Sequence, residues 1–278
     1  MNLAAQIERM EAVGFETLAV LPEAKRIDLG GGFAVDSGRP VALFNGAFCM
    51  RWTEAEAASK LDGLIERFAA RGLPFMVHQT SQSTPTTLGN LLESRGFVPE
   101  EESVLFSCDL STVPEFPPIS AAMRVENVDS LKKTEDFLKV FIEGFGLPAS
   151  IAEPFKDYFL AYGFGPDKMV QSFVLYDLDR PVAIVSTVAH RDPNGQRISF
   201  DGISDDACSV INLAVLPHHR GQGLGMSLAG YAVSQVKSWG YQRLLSTGSP
   251  DGMRLYRKCS IQEVGSGRRW TWTPKTVS

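Results

Sequence analysis

Cysteine is scarce in this chain. The four present, Cys49, Cys108, Cys208 and Cys259, stand far apart with no paired spacing. That argues against a disulfide framework or a structural zinc and fits a reducing cytoplasm. Basic excess is missing too: 27 Lys and Arg against 32 Asp and Glu leave a formal net charge of -5. A nucleic-acid binder would be expected to carry a basic face. No apolar run approaches the roughly 18 residues of a membrane span. The opening MNLAAQIERMEAVGFETLAV mixes Glu8, Arg9 and Glu11 with apolar residues, unlike the basic end and pure apolar block of a secretory signal. The expectation is a cytoplasmic protein with neither a membrane nor a nucleic-acid partner. Its 278 residues suffice for one large or two small domains with buried cores.

Regular structure is hard to build in DLSTVPEFPPIS, Asp109–Ser120, with its three prolines and few large apolar groups. The predicted division is a first domain at 1–110, a linker at 111–120 and a second domain at 121–278. In the second domain AMRVENV reads as a strand. A helix capped by Asp129 follows through Phe141, with Leu131, Phe137, Leu138 and Phe141 at helical spacing. IAEPFKDYFLAY reads as a helix, VQSFVLY, PVAIVSTVAH and RISFDGIS as antiparallel strands, and SVINLAV as another strand. Gly223–Trp239 is a predicted helix, RLLST a strand, Pro250–Arg257 a short helix and RRWTWT a last strand. The fold class is mixed α/β. Residues 54–97 repeat the helix, strand, Ser/Thr-rich loop and short helix of the later half at an offset of about 165, which suggests a duplicated domain. The earlier copy has no glycine-rich loop.

What is abundant is glycine at one place, LAVLPHHRGQGLG, Leu213–Gly225. Pro217 ends the strand because it has no N–H to give. From Gly223 the apolar positions Leu224, Leu228, Tyr231, Ala232, Val236 and Trp239 are helical. The glycines therefore occupy a strand-to-helix turn, where they permit φ > 0 and a close approach. The first N–H groups of a helix lack internal partners and carry partial positive charge, so this turn reads as a pyrophosphate cradle, with the Arg220 charge beside it. A P-loop is excluded because no lysine follows in GxxxxGK[ST] spacing, and a dinucleotide fingerprint because the spacing is GxGxG.

The string Val215-Leu-Pro-His-His-Arg220-Gly-Gln-Gly223-Leu-Gly225 resembles the coenzyme A loop of the GNAT (GCN5-related N-acetyltransferase) superfamily, [Q/R]-x-x-G-x-[G/A]. Ser249-Pro-Asp-Gly252-Met-Arg-Leu255-Tyr256 is similar to that family's S-x-x-G-x-x-L-Y element, and RRWTW to its closing aromatic strand. The resemblance covers about Ala121 to the end. With the internal repeat it implies two GNAT-like domains in tandem, each a mostly antiparallel sheet flanked by helices, the first having lost its cofactor loop. Cys259-Ser260-Ile261 stands where the family has Leu-Gly-Phe; a serine held at φ > 0 there would cost on the order of 1 kcal/mol.

The resemblance implies an acetyl-CoA (or other acyl-CoA) co-substrate and no metal. Main-chain groups of Leu213, Ala214 and Val215 would bind the pantetheine arm. Arg220, Gly221, Gln222, Gly223, Leu224, Gly225 and Met226 would take the pyrophosphate, and Ser249 would sit near the cofactor. Tyr256 would return a proton to the departing thiolate, its reference pKa of about 10 lying near the thiol's value of about 8.5. Leu92 holds the matching place in the earlier copy and cannot do this. The base is open: Asn212 occupies the strand position where the family often has Glu, and Asp201, Asp205, Asp206 and His190 lie nearby in sequence. Adjacent His218 and His219 read as bystanders rather than metal ligands, Ser249 equally as a helix cap, and Trp270 and Trp272 as packing. The implied activity is N-acyl transfer to a small-molecule amine by a monomer or homodimer. An acyl-carrier-protein donor and a non-catalytic acyl-CoA sensor or scaffold remain as alternatives.

Overall fold

The computed structural model of the chain describes residues 2–192, 194–200, 202–257 and 259–274, without the side chains of Asp251, Arg254 and Leu255. In chain order the elements begin with α1 (Leu3–Glu16), β1 (Lys25–Asp28), β2 (Phe33–Asp36), β3 (Asn45–Phe48) and α2 (Glu54–Ala69). Next come β4 (Phe75–Thr80), α3 (Leu88–Ser94), β5 (Val98–Pro99), β6 (Ser103–Asp109) and β7 (Met123–Asn127). Then follow α4 (Leu131–Phe145), α5 (Ala152–Tyr162), β8 (Val170–Asp177), β9 (Arg180–Val188) and β10 (Ala207–Val215). The last four are α6 (Leu224–Ser238), β11 (Arg243–Gly248), α7 (Pro250–Tyr256) and β12 (Ile261–Trp272).

Two compact units form, and neither is one uninterrupted stretch. Asn2–Phe106 joins Thr247–Met253 and Glu263 onward; Ser107–Ser246 joins Arg254–Gln262. These units cut the chain differently from the contiguous 121–278 expected above. The cause lies in β12, which pairs antiparallel with β4 from Gly267↔Thr80 to Trp272↔Phe75. That register buries Trp270 among Phe75, Leu88, Leu92 and Phe97, and its indole N–H donates to Gln79 at 2.8 Å.

In the earlier unit the strand order is β1-β2-β3-β4-β12, with β5 on β12. Only β3 and β4 run parallel, and α2 is their crossover. The later unit is ordered β7-β8-β9-β10-β11, parallel only between β10 and β11, with α6 as the crossover. Both are mostly antiparallel sheets flanked by helices, and they share one plan: an antiparallel pair leading into a βαβ step. The duplication suggested by sequence is visible in the backbone.

Local chemistry explains the helices. In α2 Ala57, Leu61, Leu64 and Phe68 fall on one face and are buried, and Phe68 stacks on Phe75 at 4.4 Å. Thr53 and Glu56 close a capping box at its start. α4 is capped by Ser130, one residue later than expected, and Asp129 pairs with Lys133 at 3.0 Å instead. It ends on Gly146 in the left-handed region, φ 66°. RISFDGIS does not form a strand; only the bridges Arg191↔Arg197 and Phe200↔Ile203 occur there. β9 and β10, the strands it adjoins in sequence, already have neighbours on both sides and offer it no free edge. The proline-rich segment is a strap rather than a free linker. Phe116 lies over Gly230 of α6, where an added Cβ would fall 2.3 Å from its Cβ, and Ser227 donates to the Pro118 carbonyl.

Candidate active site

β10 begins as an ordinary strand and then leaves its parallel neighbour. Its ladder to β11 covers Ala207↔Arg243 and Cys208↔Leu244, and Ser246 Oγ still donates to the Val210 carbonyl at 3.0 Å. Between Ile211 and Ala214 the register to β9 shifts, and Asn212 stands there at φ 54°. Asparagine tolerates the left-handed region better than other non-glycine residues. Its amide nitrogen lies 3.4 Å from Ser186 Oγ, which in turn meets Ser172 Oγ at 2.9 Å. Leu213–Val215 therefore lie beyond the end of the β11 ladder while Ala214 and Val215 keep β9 as partner. A bulge of this kind re-aims a strand and ends its pairing on one side.

The turn that follows exposes the main chain. Gly221 and Gly223 have φ 78° and 80°, and a Cβ on either would meet nothing within 4 Å. Backbone conformation, not space, requires glycine at both. Among the described residues, no amide from Gly221 to Gly225 has a hydrogen-bond partner within the protein, and residues 221–223 are exposed. The Met226 and Ser227 amides are already turned onto the Gly223 carbonyl at 3.0 and 3.1 Å. The Arg220 amide likewise donates to the Pro217 carbonyl at 3.2 Å, so the bare row is Gly221–Gly225, two residues shorter than the Arg220–Met226 expected above.

Arg220 is placed differently from the expectation that its charge stands beside the cradle. Its Nε donates to the Val215 carbonyl at 3.1 Å and its Nη2 to the Gly144 carbonyl at 2.7 Å. The guanidinium ties the strand end to the last turn of α4. Gly144 was not singled out in the sequence; its place in the amphipathic face of α4 was the available signal. It allows α4 to touch β10, since a Cβ there would fall 2.9 Å from that of Ala214. Arg220→Ala is expected to weaken coenzyme A binding about tenfold by freeing the turn, about 1.4 kcal/mol, read by calorimetry.

Tyr256 closes α7 with a half-buried ring, and its carbonyl accepts from the Cys259 amide at 2.8 Å. Burial, with Cys259 adding to it, pushes its phenol up to about 12. The phenol keeps its proton at any working pH, but it is a weaker acid than a departing thiol by more than three powers of ten. It acts best as a hydrogen-bond donor to developing negative charge. Ser260 does not take a left-handed backbone, so the strain anticipated for Cys259-Ser260-Ile261 is absent; the Ile261 amide instead bonds to the Cys259 carbonyl. Ser249 caps α7, its Oγ accepting from the Gly252 amide at 3.2 Å.

The base candidates fare poorly. His190 follows Val188, which pairs with Ser209, and Asp205 and Asp206 precede β10. At about 3.3 Å per residue, Asp206 lies roughly 20 Å along the strand from Leu213. Its carboxylate also accepts from Ser204 and faces Arg243. His190 is held below the usual imidazole range by burial. Asp201 lies outside the described residues. Among the described residues no group of three His, Cys, Asp or Glu could hold a metal. His218 instead lies 3.7 Å from Glu143.

The earlier unit shows what the same step looks like when closed. Cys49, φ 58°, follows β3 as Asn212 interrupts β10, yet α2 starts five residues later whereas α6 starts twelve after Asn212. Arg51 bridges Thr84 in parallel, so this strand pair stays joined. At the α2 N-terminus the Glu56 carboxylate accepts from the Thr53 amide and hydroxyl at 3.0 and 2.7 Å. Those bonds pull its pKa down to about 2. An internal anion sits where the later unit leaves amides bare. Leu92, opposite Tyr256 in the repeat, is a fully buried core residue. Thr53→Ala is expected to cost about 1 kcal/mol of stability at neutral pH through loss of the cap, measured by urea melts.

Comparison with known proteins agrees with this geometry. The family model described as Acetyltransferase (GNAT) family matches residues 135–260. A GCN5-related N-acetyltransferase from Kribbella flavida aligns over 98% of this chain and 96% of its own, at 18% identity and a TM-score of 0.69. One from Sphaerobacter thermophilus aligns over 96% and 91%, at 14% and 0.57. A tandem GNAT protein from the clavulanic acid biosynthesis pathway aligns over 87% and 78%, at 10% and 0.56. A search of curated proteins gives no match. No helix among the described residues is long and apolar enough to cross a membrane. Residues 135–260 are thus similar to the GNAT acetyltransferase family, in a chain whose fold is that of tandem GNAT proteins.

Proposed function

We propose that this protein is an N-acyltransferase that moves an acetyl or other short acyl group from acyl-CoA to the amine of a small molecule. The observation that carries this reading is the row of unpartnered amides at Gly221–Gly225, at the N-terminus of a fifteen-residue helix and directly after a strand released from its neighbour. Such a row favours an anion by up to about 2 kcal/mol at a helix end, and more where several N–H groups converge on one diphosphate. The donor set fits the group: the amides are unengaged, the space at Gly221 and Gly223 is open, and the strand beyond the bulge has main-chain groups to offer a pantetheine arm.

In this reading Gly221–Gly225 hold the diphosphate, and Leu213–Val215 orient the thioester carbonyl through their main chain. Arg220 keeps the two segments in register. Tyr256 donates a hydrogen bond toward the sulfur as charge gathers there. Its raised pKa makes full proton delivery secondary, so solvent completes that step. The four free thiols suit a reducing cytoplasm.

The test is calorimetry with free coenzyme A, followed by an amine panel with acetyl-CoA in which released thiol is detected. Micromolar binding and thiol release with at least one small amine are expected. Binding without release from any amine would make the protein a sensor or scaffold. Absence of binding would point to a carrier-protein donor.

A further inference from the structure

The bulge in β10 needs a left-handed residue just before Leu213, and the chain places an asparagine there where a glycine would serve the backbone alone. We infer that the side-chain oxygen of Asn212 accepts a hydrogen bond from the acceptor nitrogen, and that the acceptors are weakly basic amines that reach the site uncharged. This rests on the transferase reading above, in which Leu213–Val215 orient the thioester carbonyl.

The Asn212 amide is held in one orientation. Its nitrogen donates to Ser186 Oγ at 3.4 Å, and Ser186 Oγ lies 2.9 Å from Ser172 Oγ. Both serines are buried. With the nitrogen committed to that pair, Oδ1 is the free end: it has no partner among the described residues, and Asn212 itself is only half-buried. Alternate strand residues share a face, so Ser186 lies on the same side of β9 as Ile184. Ile184 pairs with Ala214, which α4 meets at Gly144. The amide therefore stands on the α4 face of the sheet, one residue, or about 3.8 Å of chain, before Leu213. All these residues belong to the same compact unit.

The groups around this amide are uncharged. β9 and β10 contain no carboxylate and no imidazole, and their one charged residue, Arg180, opens β9 at the far hairpin. β8 ends on Asp177 at that same hairpin, and α6 has only Lys237, in its last turn. On α4, Glu135, Lys139 and Glu143 are exposed, and Lys133 pairs with Glu126 and Asp129. Asp136 accepts from Tyr176 at 3.0 Å and from Lys132 at 3.1 Å. Amide and hydroxyl groups strip water from an amine without supplying a counter-charge, which disfavours its ammonium form. An alkylamine with a pKa of about 10.4 is neutral in only about one molecule in a thousand at pH 7.5. An arylamine, a hydrazine or an alkoxyamine is neutral almost entirely.

With a neutral amine the step balances without a base. The nitrogen lone pair forms the C–N bond, the C–S bond breaks, and its electron pair leaves on sulfur as thiolate. Positive charge gathering on nitrogen is shared with Oδ1 through the N–H that it holds. The one proton shed by nitrogen passes through solvent to the sulfur. The sum is amine plus thioester giving amide and thiol.

The experiment measures kcat/KM of the full chain with acetyl-CoA from pH 6 to 9 for every amine that the panel yields. The panel includes the isosteres phenylhydrazine, mostly neutral at pH 7.5, and benzylamine, mostly protonated. Weakly basic amines should lead at pH 7.5 with level profiles. Any alkylamine turned over should gain about tenfold per pH unit, following its own neutral fraction. Asn212→Gly keeps the left-handed backbone and deletes the acceptor. It should lose about tenfold or more in kcat/KM for the leading amine, with coenzyme A affinity and melting temperature close to wild type. Asn212→Asp tolerates the same backbone and supplies a carboxylate, so alkylamines should gain relative to phenylhydrazine and their profiles flatten. An alkylamine that leads at pH 7.5 with a level wild-type profile overturns the inference, as does an Asn212→Gly variant with wild-type rate; both leave the transferase reading intact. No turnover of any amine by wild type overturns both.

Discussion

Gly223→Asp is expected to reduce coenzyme A affinity by at least 100-fold, about 2.7 kcal/mol, while leaving the chain folded. Gly223 is the residue before α6, at φ 80° in open space. An aspartate tolerates that backbone at a cost of about 1 kcal/mol and recovers part of it by capping the helix. Its carboxylate would engage the amides that the diphosphate needs and would repel the phosphates directly. The substitution thereby copies into the later unit what Glu56 already does at the start of α2. Calorimetry with coenzyme A reads the loss, and an unchanged melting temperature separates it from unfolding. Retention of wild-type affinity would remove the turn from the binding site.

Tyr256→Phe is expected to lower kcat by one to three powers of ten with little change in coenzyme A affinity. The variant deletes one hydroxyl from a half-buried ring and leaves its packing in place. In the proposed reaction what is lost is a donor to charge that exists only as the C–S bond breaks, so turnover falls and ground-state binding does not. Because burial pushes this phenol up to about 12, its deprotonation lies above the range in which rates are measured. The wild-type profile should therefore show no alkaline decline from Tyr256 below about pH 10. Steady-state kinetics across pH 6–10 check both statements. An unchanged kcat would exclude the tyrosine from the reaction.

The strand, the turn and the helix around Gly223 were legible because each depends on neighbours within about fifteen residues. β-favouring Val210–Val215, a proline that cannot extend the ladder, glycines for φ > 0 and a 3.6-residue apolar period each act locally. The repeat was legible for the same reason, since α2–β4–α3 and α6–β11–α7 rest on the same local patterns. Asp129 against Ser130 as the cap of α4 shows where local reading fails. Two adjacent residues both suited the role, and in the fold Ser130 takes the extended backbone of a cap and accepts from the Lys133 amide. RISFDGIS failed differently. Its apolar content favours a strand, but a strand needs a free neighbour, and the positions beside β9 and β10 were filled.

Arg220 illustrates the limit at the site. Sequence puts a guanidinium next to the glycines, but only α4 brings the Gly144 carbonyl within 2.7 Å and turns that charge into a brace. In the same way nothing near Trp270 in sequence says that β12 pairs with β4, and nothing near Thr247 says that its hydroxyl donates to Glu11. The chain's order of residues settled most of the helices and strands and the glycine turn, because short-range sterics and hydrogen bonding suffice for those. Which strand each edge accepts, and which distant carbonyl meets Arg220, was decided on folding. Those contacts join residues 76 to 236 positions apart, and their strength depends on burial that no local pattern encodes.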